Sequence, residues 1–221
     1  MRLPKYIFII TLLLASLSLA CSAEARVIDE HIYLVPAGNV DKKAVEAIRK
    51  ALPAGLPMSV NIEISPQEKV LESAYDPSRQ QYNAETILND ISRRTRLYSA
   101  NESALVIVDV DLYSPGLNFV FGLSDAAKVM GIISLARLKN EFYGGKPDNK
   151  LFLERVIKEA VHELGHAWGL SHCSDKKCVM YFSNSLPDTD RKRNTFCHDC
   201  KKMLLVRYGA PLFKTSLPVL K

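Results

Sequence analysis

Three histidines and a glutamate in this 221-residue chain are spaced to hold a metal ion and to work beside it. His162-Glu163-Leu164-Gly165-His166 puts two imidazoles at i and i+4, on one helix face, where both reach a single zinc. Glu163 then lies next to the metal, placed to take a proton from water. The string continues Ala167-Trp168-Gly169-Leu170-Ser171-His172. A helix running on past His166 cannot bring His172 to the same ion. Gly169 tolerates positive φ, so the chain turns sharply there and returns. Three histidine ligands leave the fourth zinc position open, as a catalytic zinc requires. Cys173, Cys178, Cys197 and Cys200 follow at once. Such a cluster makes either two disulfides or a second metal site.

These side chains need a long helix, and the pattern supplies one from Asp148 or Asn149 to about Trp168. Upstream, Arg26–Val35 and Ser59–Ser65 read as strands. Asp41 starts a helix running to about Leu52, stopped by Pro53, Gly55 and Pro57. A second helix covers Asn83–Arg94. Ala104–Val110 is almost continuously apolar and β-branched, which predicts a central strand buried on both faces. Asn118–Leu123 and Val129–Leu135 read as two more strands, and a last helix follows Cys200. This order predicts an α/β fold, a mixed sheet layered with helices. Asp109 and Asp111 read as strand-end capping residues. His31 and His198 carry no expected role.

Composition narrows the class. Hydrophobic residues make up 48% and charged residues 24%, which excludes disorder and low-complexity arrays. The formal charge of +5 includes Arg2 and Lys5 and is too diffuse for a nucleic-acid partner. Met1–Ala20 has a positive start, an apolar run and small residues after it, the pattern of an export signal. Cys21 directly after Ala20 is similar to a lipoprotein cleavage site. The expectation is therefore an exported protein, either periplasmic or attached to the membrane through a lipidated Cys21.

The three-histidine string is the metzincin signature. Extended through Cys173, Cys178-Val179-Met180 and Cys197-His198-Asp199-Cys200, it resembles the archaemetzincin family of zinc metallopeptidases. Tyr75–Tyr82 (YDPSRQQY) and Asn118–Gly122 (NFVFG) resemble upstream segments of that family. The resemblance implies a metzincin-like zincin domain over 26–221. It divides into an N-terminal subdomain of about 26–169 and a small Cys-rich, zinc-binding subdomain of about 170–221. It implies a catalytic zinc on His162, His166 and His172, with Glu163 as general base. It implies Met180 as the Met-turn residue, an apolar floor below the metal. It implies a second, structural zinc on Cys173, Cys178, Cys197 and Cys200, hence two zinc ions per chain. A Cys197–Cys200 disulfide remains the alternative to that second zinc. The expected activity is hydrolysis of peptide bonds in a peptide or protein substrate, with Asn118–Leu123 as the edge that pairs with it. The alternative is an exported zinc-binding protein or lipoprotein with little or no turnover.

Overall fold

Alternation of apolar side chains along the strands decides which helix packs on which face of the sheet. A computed structural model describes residues 29–207, apart from 96, 98 and 100. The strands are β1 (Asp29–Pro36), β2 (Ser59–Ile64), β3 (Tyr75–Asp76), β4 (Gln81–Asn83), β5 (Glu102–Val108), β6 (Leu112–Tyr113), β7 (Gly122–Asp125) and β8 (Met130–Ser134). The main sheet has the order β2-β1-β5-β8-β7. Its first four strands are parallel, and β7 runs antiparallel to β8 at the edge.

Ile32, Leu34, Leu105, Ile107 and Ile133 point to one face. There they meet α1 (Lys42–Ala51) and α3 (Asn149–Ala167). Val35, Ala104, Val106, Val108 and Ile132 point to the other face and meet α2 (Ala84–Arg94). Every residue of β5 from Ser103 to Val108 is buried, because helices cover both sides. Asp41, Asn83 and Asp148 cap the three helices, each side chain accepting from a first-turn backbone N–H. Such caps contribute about 1 kcal/mol each. Two short helices complete the described residues, α4 (Leu186–Arg191) and α5 (His198–Arg207).

The structure moves one expected strand. Only 122–125 form a strand paired with β8, while 118–121 lie outside the strands, next to a second, three-stranded sheet of order β3-β4-β6. Val120 bridges antiparallel to Leu112, and Arg79 and Gln81 donate to the Asn118 carbonyl at 3.0 Å. Asp109 and Asp111 do not cap a strand. Asp109 pairs with Lys139 (2.8 Å) and Asp111 with Arg137 (2.7 Å), from the loop after β8. The expected leader Met1–Ala20 and Cys21 lie outside the described residues, as do 208–221. No helix among the described residues is long and apolar enough to cross a membrane.

Candidate metal centre

α3 carries the first two histidines and ends where the third must begin. Gly169 has φ +87°. Its N–H donates to the His166 carbonyl (2.8 Å), and the Leu170 N–H donates to Gly165 (2.9 Å). This pair of bonds is a Schellman motif, which satisfies the last carbonyls and reverses the chain. Trp168 is buried beside it and donates from Nε1 to Glu30 on β1 (3.2 Å), fixing the helix end to the sheet.

The reversal brings His172 to the other two rings. Ring centroids are 4.6 Å apart for His162–His166, 4.7 Å for His166–His172 and 5.4 Å for His162–His172. One nitrogen from each ring lies within 4.8 Å of the others. His162 Nδ1 faces the Val179 carbonyl and His166 Nδ1 faces the Leu170 carbonyl, both at 2.7 Å. A carbonyl only accepts, so each Nδ1 bears the proton and each Nε2 keeps its lone pair. Burial holds His162 well below the usual imidazole range and His166 below it. Lys192 adds to the shift of His162. Two neutral rings thus point lone pairs at each other across 3.1 Å. That separation is near the edge of about 3.3 Å expected for two nitrogens on one tetrahedral zinc. The donor set fits zinc, and a cation between the rings removes the lone-pair repulsion.

Glu163 is buried on the sheet side of α3 and has its pKa pushed up to about 8 by that burial. Ser124 Oγ lies 2.7 Å from both its Oε2 and its backbone carbonyl. One helical turn earlier, Glu159 Oε1 lies 3.0 Å from Lys192 Nζ, and both side chains are buried. Thr189 also donates to Glu159 (3.3 Å).

Met180 is fully buried against α3, and a side chain at Gly165 would run into its sulfur. The Tyr181 N–H donates to Cys178 (3.0 Å), forming the turn that carries Met180. The same turn presents the Val179 carbonyl to His162. Sulfurs of Cys173, Cys178, Cys197 and Cys200 gather beside it, all within 4.8 Å of one another. All four thiols are free, with Cys173 and Cys197 sulfurs 3.8 Å apart, against about 2.05 Å in a disulfide. Burial pushes Cys178 up to about 11 and Cys200 higher still. Backbone N–H groups of Asp175, Met180 and Cys197 nevertheless point at these sulfurs, at 3.3–3.4 Å. Buried thiols with donors aimed at them match thiolates held by a cation.

A cleft of about 600 Å³ opens over the histidines. Its walls include Asn118–Ser124, Glu159 and Phe182–Asn184. Ser124, Glu159 and Lys192 carried no motif in the sequence. Their one signal is indirect, since Glu159 repeats the helical spacing one turn before Glu163.

Sequence comparison agrees with this geometry. Peptidase family M54 matches residues 17–205. The archaemetzincin of Pyrococcus abyssi is 41% identical over 177 residues, covering 78% of this chain and 93% of that protein. Among solved structures, a zinc-dependent peptidase from Methanocorpusculum labreanum superposes with TM-score 0.71 at 32% identity. It covers 78% of this chain and 99% of the other. The archaemetzincin of Archaeoglobus fulgidus, complexed with malonate, gives 0.65 at 36% identity, covering 78% and 98%.

The comparisons also correct the reading of the first residues. The family match begins at residue 17, inside the supposed signal peptide, and runs through Cys21 without a break. The relatives are archaeal archaemetzincins, and they lend no support to a signal or a lipoprotein. With its α/β sheet, its gathered histidines and these relatives, the chain belongs to peptidase family M54, the archaemetzincins, and is a zinc metallopeptidase.

Proposed function

We propose that His162, His166 and His172 hold a catalytic zinc and that Glu163 is the general base of peptide-bond hydrolysis. The observation that carries this reading is the pair of neutral imidazoles locked by carbonyls, with Nε2 atoms converging at 3.1 Å beside a buried carboxylate. A zinc held by these three histidines would supply the Lewis acid that acidifies a water and polarises the scissile carbonyl. Glu163 takes the proton from that water and delivers it to the leaving amine. Met180 packs beneath the histidine rings and keeps them dry on that side. The substrate lies extended along the cleft wall formed by 118–124. β7 has one neighbour in its sheet, so its outer edge offers main-chain groups to a peptide backbone. Cys173, Cys178, Cys197 and Cys200 hold a second zinc, closed to solvent, so the complement is two ions per chain. The region after Gly169 serves as the zinc-binding subdomain.

Glu163→Gln tests the central assignment. The variant keeps its zinc and its fold, and loses turnover by about 10²- to 10⁴-fold, the range for removing a general base. Undiminished cleavage of a peptide library by Glu163→Gln overturns it.

A further inference from the structure

The face of β7 that meets α3 is built around one carboxylate. Gly122 and Ser124 alternate onto that face, and Gly131 stands opposite Ser124 in the ladder. A side chain at Gly122 would come within 2.6 Å of Glu163 Cγ and Oε1. A side chain at Gly131 would come within 2.9 Å of Ser124 Oγ and 3.1 Å of Glu163 Cβ. Two glycines therefore clear the space that the Glu163 side chain and the Ser124 hydroxyl fill. Ser124 Oγ then spans 2.7 Å to Glu163 Oε2 and 2.7 Å to the Glu163 carbonyl, gripping both ends of the same residue. The hydroxyl donates one hydrogen and can also accept, so it holds Glu163 Oε2 in either state: it donates to the ionised oxygen, or it accepts from the protonated one while donating to the Glu163 carbonyl.

We infer that Ser124 is a positioning residue for hydrolysis: its hydroxyl, in the cradle left by Gly122 and Gly131, holds Glu163 Oε2 so that Oε1 handles the proton. This rests on the proposed role of Glu163. The carboxylate sits on a flexible stem of two methylenes, so without a partner it samples several rotamers. Fixing one oxygen fixes the direction of the other. Glu163 and Ser124 both line the cleft, so the grip operates where substrate binds.

Ser124→Ala removes the grip and little volume. The expected result is kcat lowered by about 10- to 100-fold, the usual loss when the partner orienting a catalytic group is removed. Zinc content stays at the wild-type level, because no metal ligand is removed, and KM changes little, because β7 pairs with substrate through its main chain. Gly122→Ala crowds the other carboxylate oxygen, Oε1, and lowers kcat at least as much. In a Glu163→Gln background, Ser124→Ala causes no further loss of residual activity, because there is no base left to position. The proposal is overturned if Glu163→Gln is inactive while Ser124→Ala keeps wild-type kcat. It is equally overturned if Ser124→Ala multiplies the Glu163→Gln loss by its full single-variant effect, which marks a structural role. If Glu163→Gln itself retains turnover, the failure lies with the assignment of the base, and the two failures are told apart.

Discussion

His172 and Cys173 are neighbours in the chain and belong to opposite kinds of site. The histidine cluster takes two rings from one helix face and a third from an exposed loop residue. Its fourth side is the cleft. The cysteine cluster takes its ligands from a loop, a turn and the start of α5, which close around it from several directions. Cys178 and Cys200 are almost fully buried, and no cysteine lines the cleft. Openness follows from the origin of the ligands: a helix face covers one side of an ion, whereas loops converging from several sides leave none. The two sites also share a turn. The Val179 carbonyl that orients His162 sits between Cys178 and Met180. The cysteine cluster therefore supports the histidine cluster through that turn.

The sharpest way to break this asymmetry is to remove one ligand from each side. Cys200→Ser is expected to have the largest effect in the protein. It opens the cysteine site, frees the turn at Cys178–Tyr181 and loses both metals. Structural zinc in small domains accounts for about 10–16 kcal/mol of apparent binding energy, so even a fraction of this destabilises the fold severely. His172→Ala, at an exposed position, loses the histidine-bound zinc alone and keeps the fold. Zinc analysis and thermal unfolding of both variants read the outcome. A Cys200→Ser protein that retains a metal on the histidines removes the claimed dependence.

The sequence exposes the two clusters unequally, for physical reasons. α3 and the return at Gly169 were legible because the helix repeat, the Asp148 cap and the glycine are local signals. β5 was legible because a strand buried on both faces leaves an unbroken apolar run. The antiparallel edge was placed four residues early, because Phe119 and Phe121 look like strand residues wherever they pair. What holds the segment before Gly122 away from β8 is Arg79 and Gln81, about forty positions away in the chain, which bond the Asn118 carbonyl. Asp111 was misread for the same reason, since Arg137 reaches it from a distant loop. Ser124 was invisible, because a serine in a strand announces nothing until Glu163 is packed against it.

Gly169→Ala tests the histidine side more gently. An alanine held at positive φ costs about 1–2 kcal/mol. The strain falls on the turn that delivers His172, so zinc affinity at the histidines drops while the cysteine-bound zinc stays. A competitive chelator titration separates the two ions, and equal weakening of both contradicts the separation of the sites.

The smallest effect belongs to the far end of the same helix. Asp148 accepts from the Leu151 N–H at 3.0 Å, and His162 lies fourteen residues further on, about 21 Å along the axis. Asp148→Ala is expected to cost about 1 kcal/mol. For a chain of this size that corresponds to about 2–4 °C in Tm. The first turn frays when its cap is lost, but fraying stays within that turn. From Arg155 to Gly165 the helix is buried against the sheet, and the Schellman turn and Trp168 hold its other end independently. Zinc affinity and kcat are therefore expected to match wild type while Tm falls. A fall in kcat or metal affinity along with Tm means that α3 shifts as a rigid rod. The histidine site would then depend on the whole helix, and the local contacts to Val179, Leu170 and Ser124 would no longer suffice to explain its geometry.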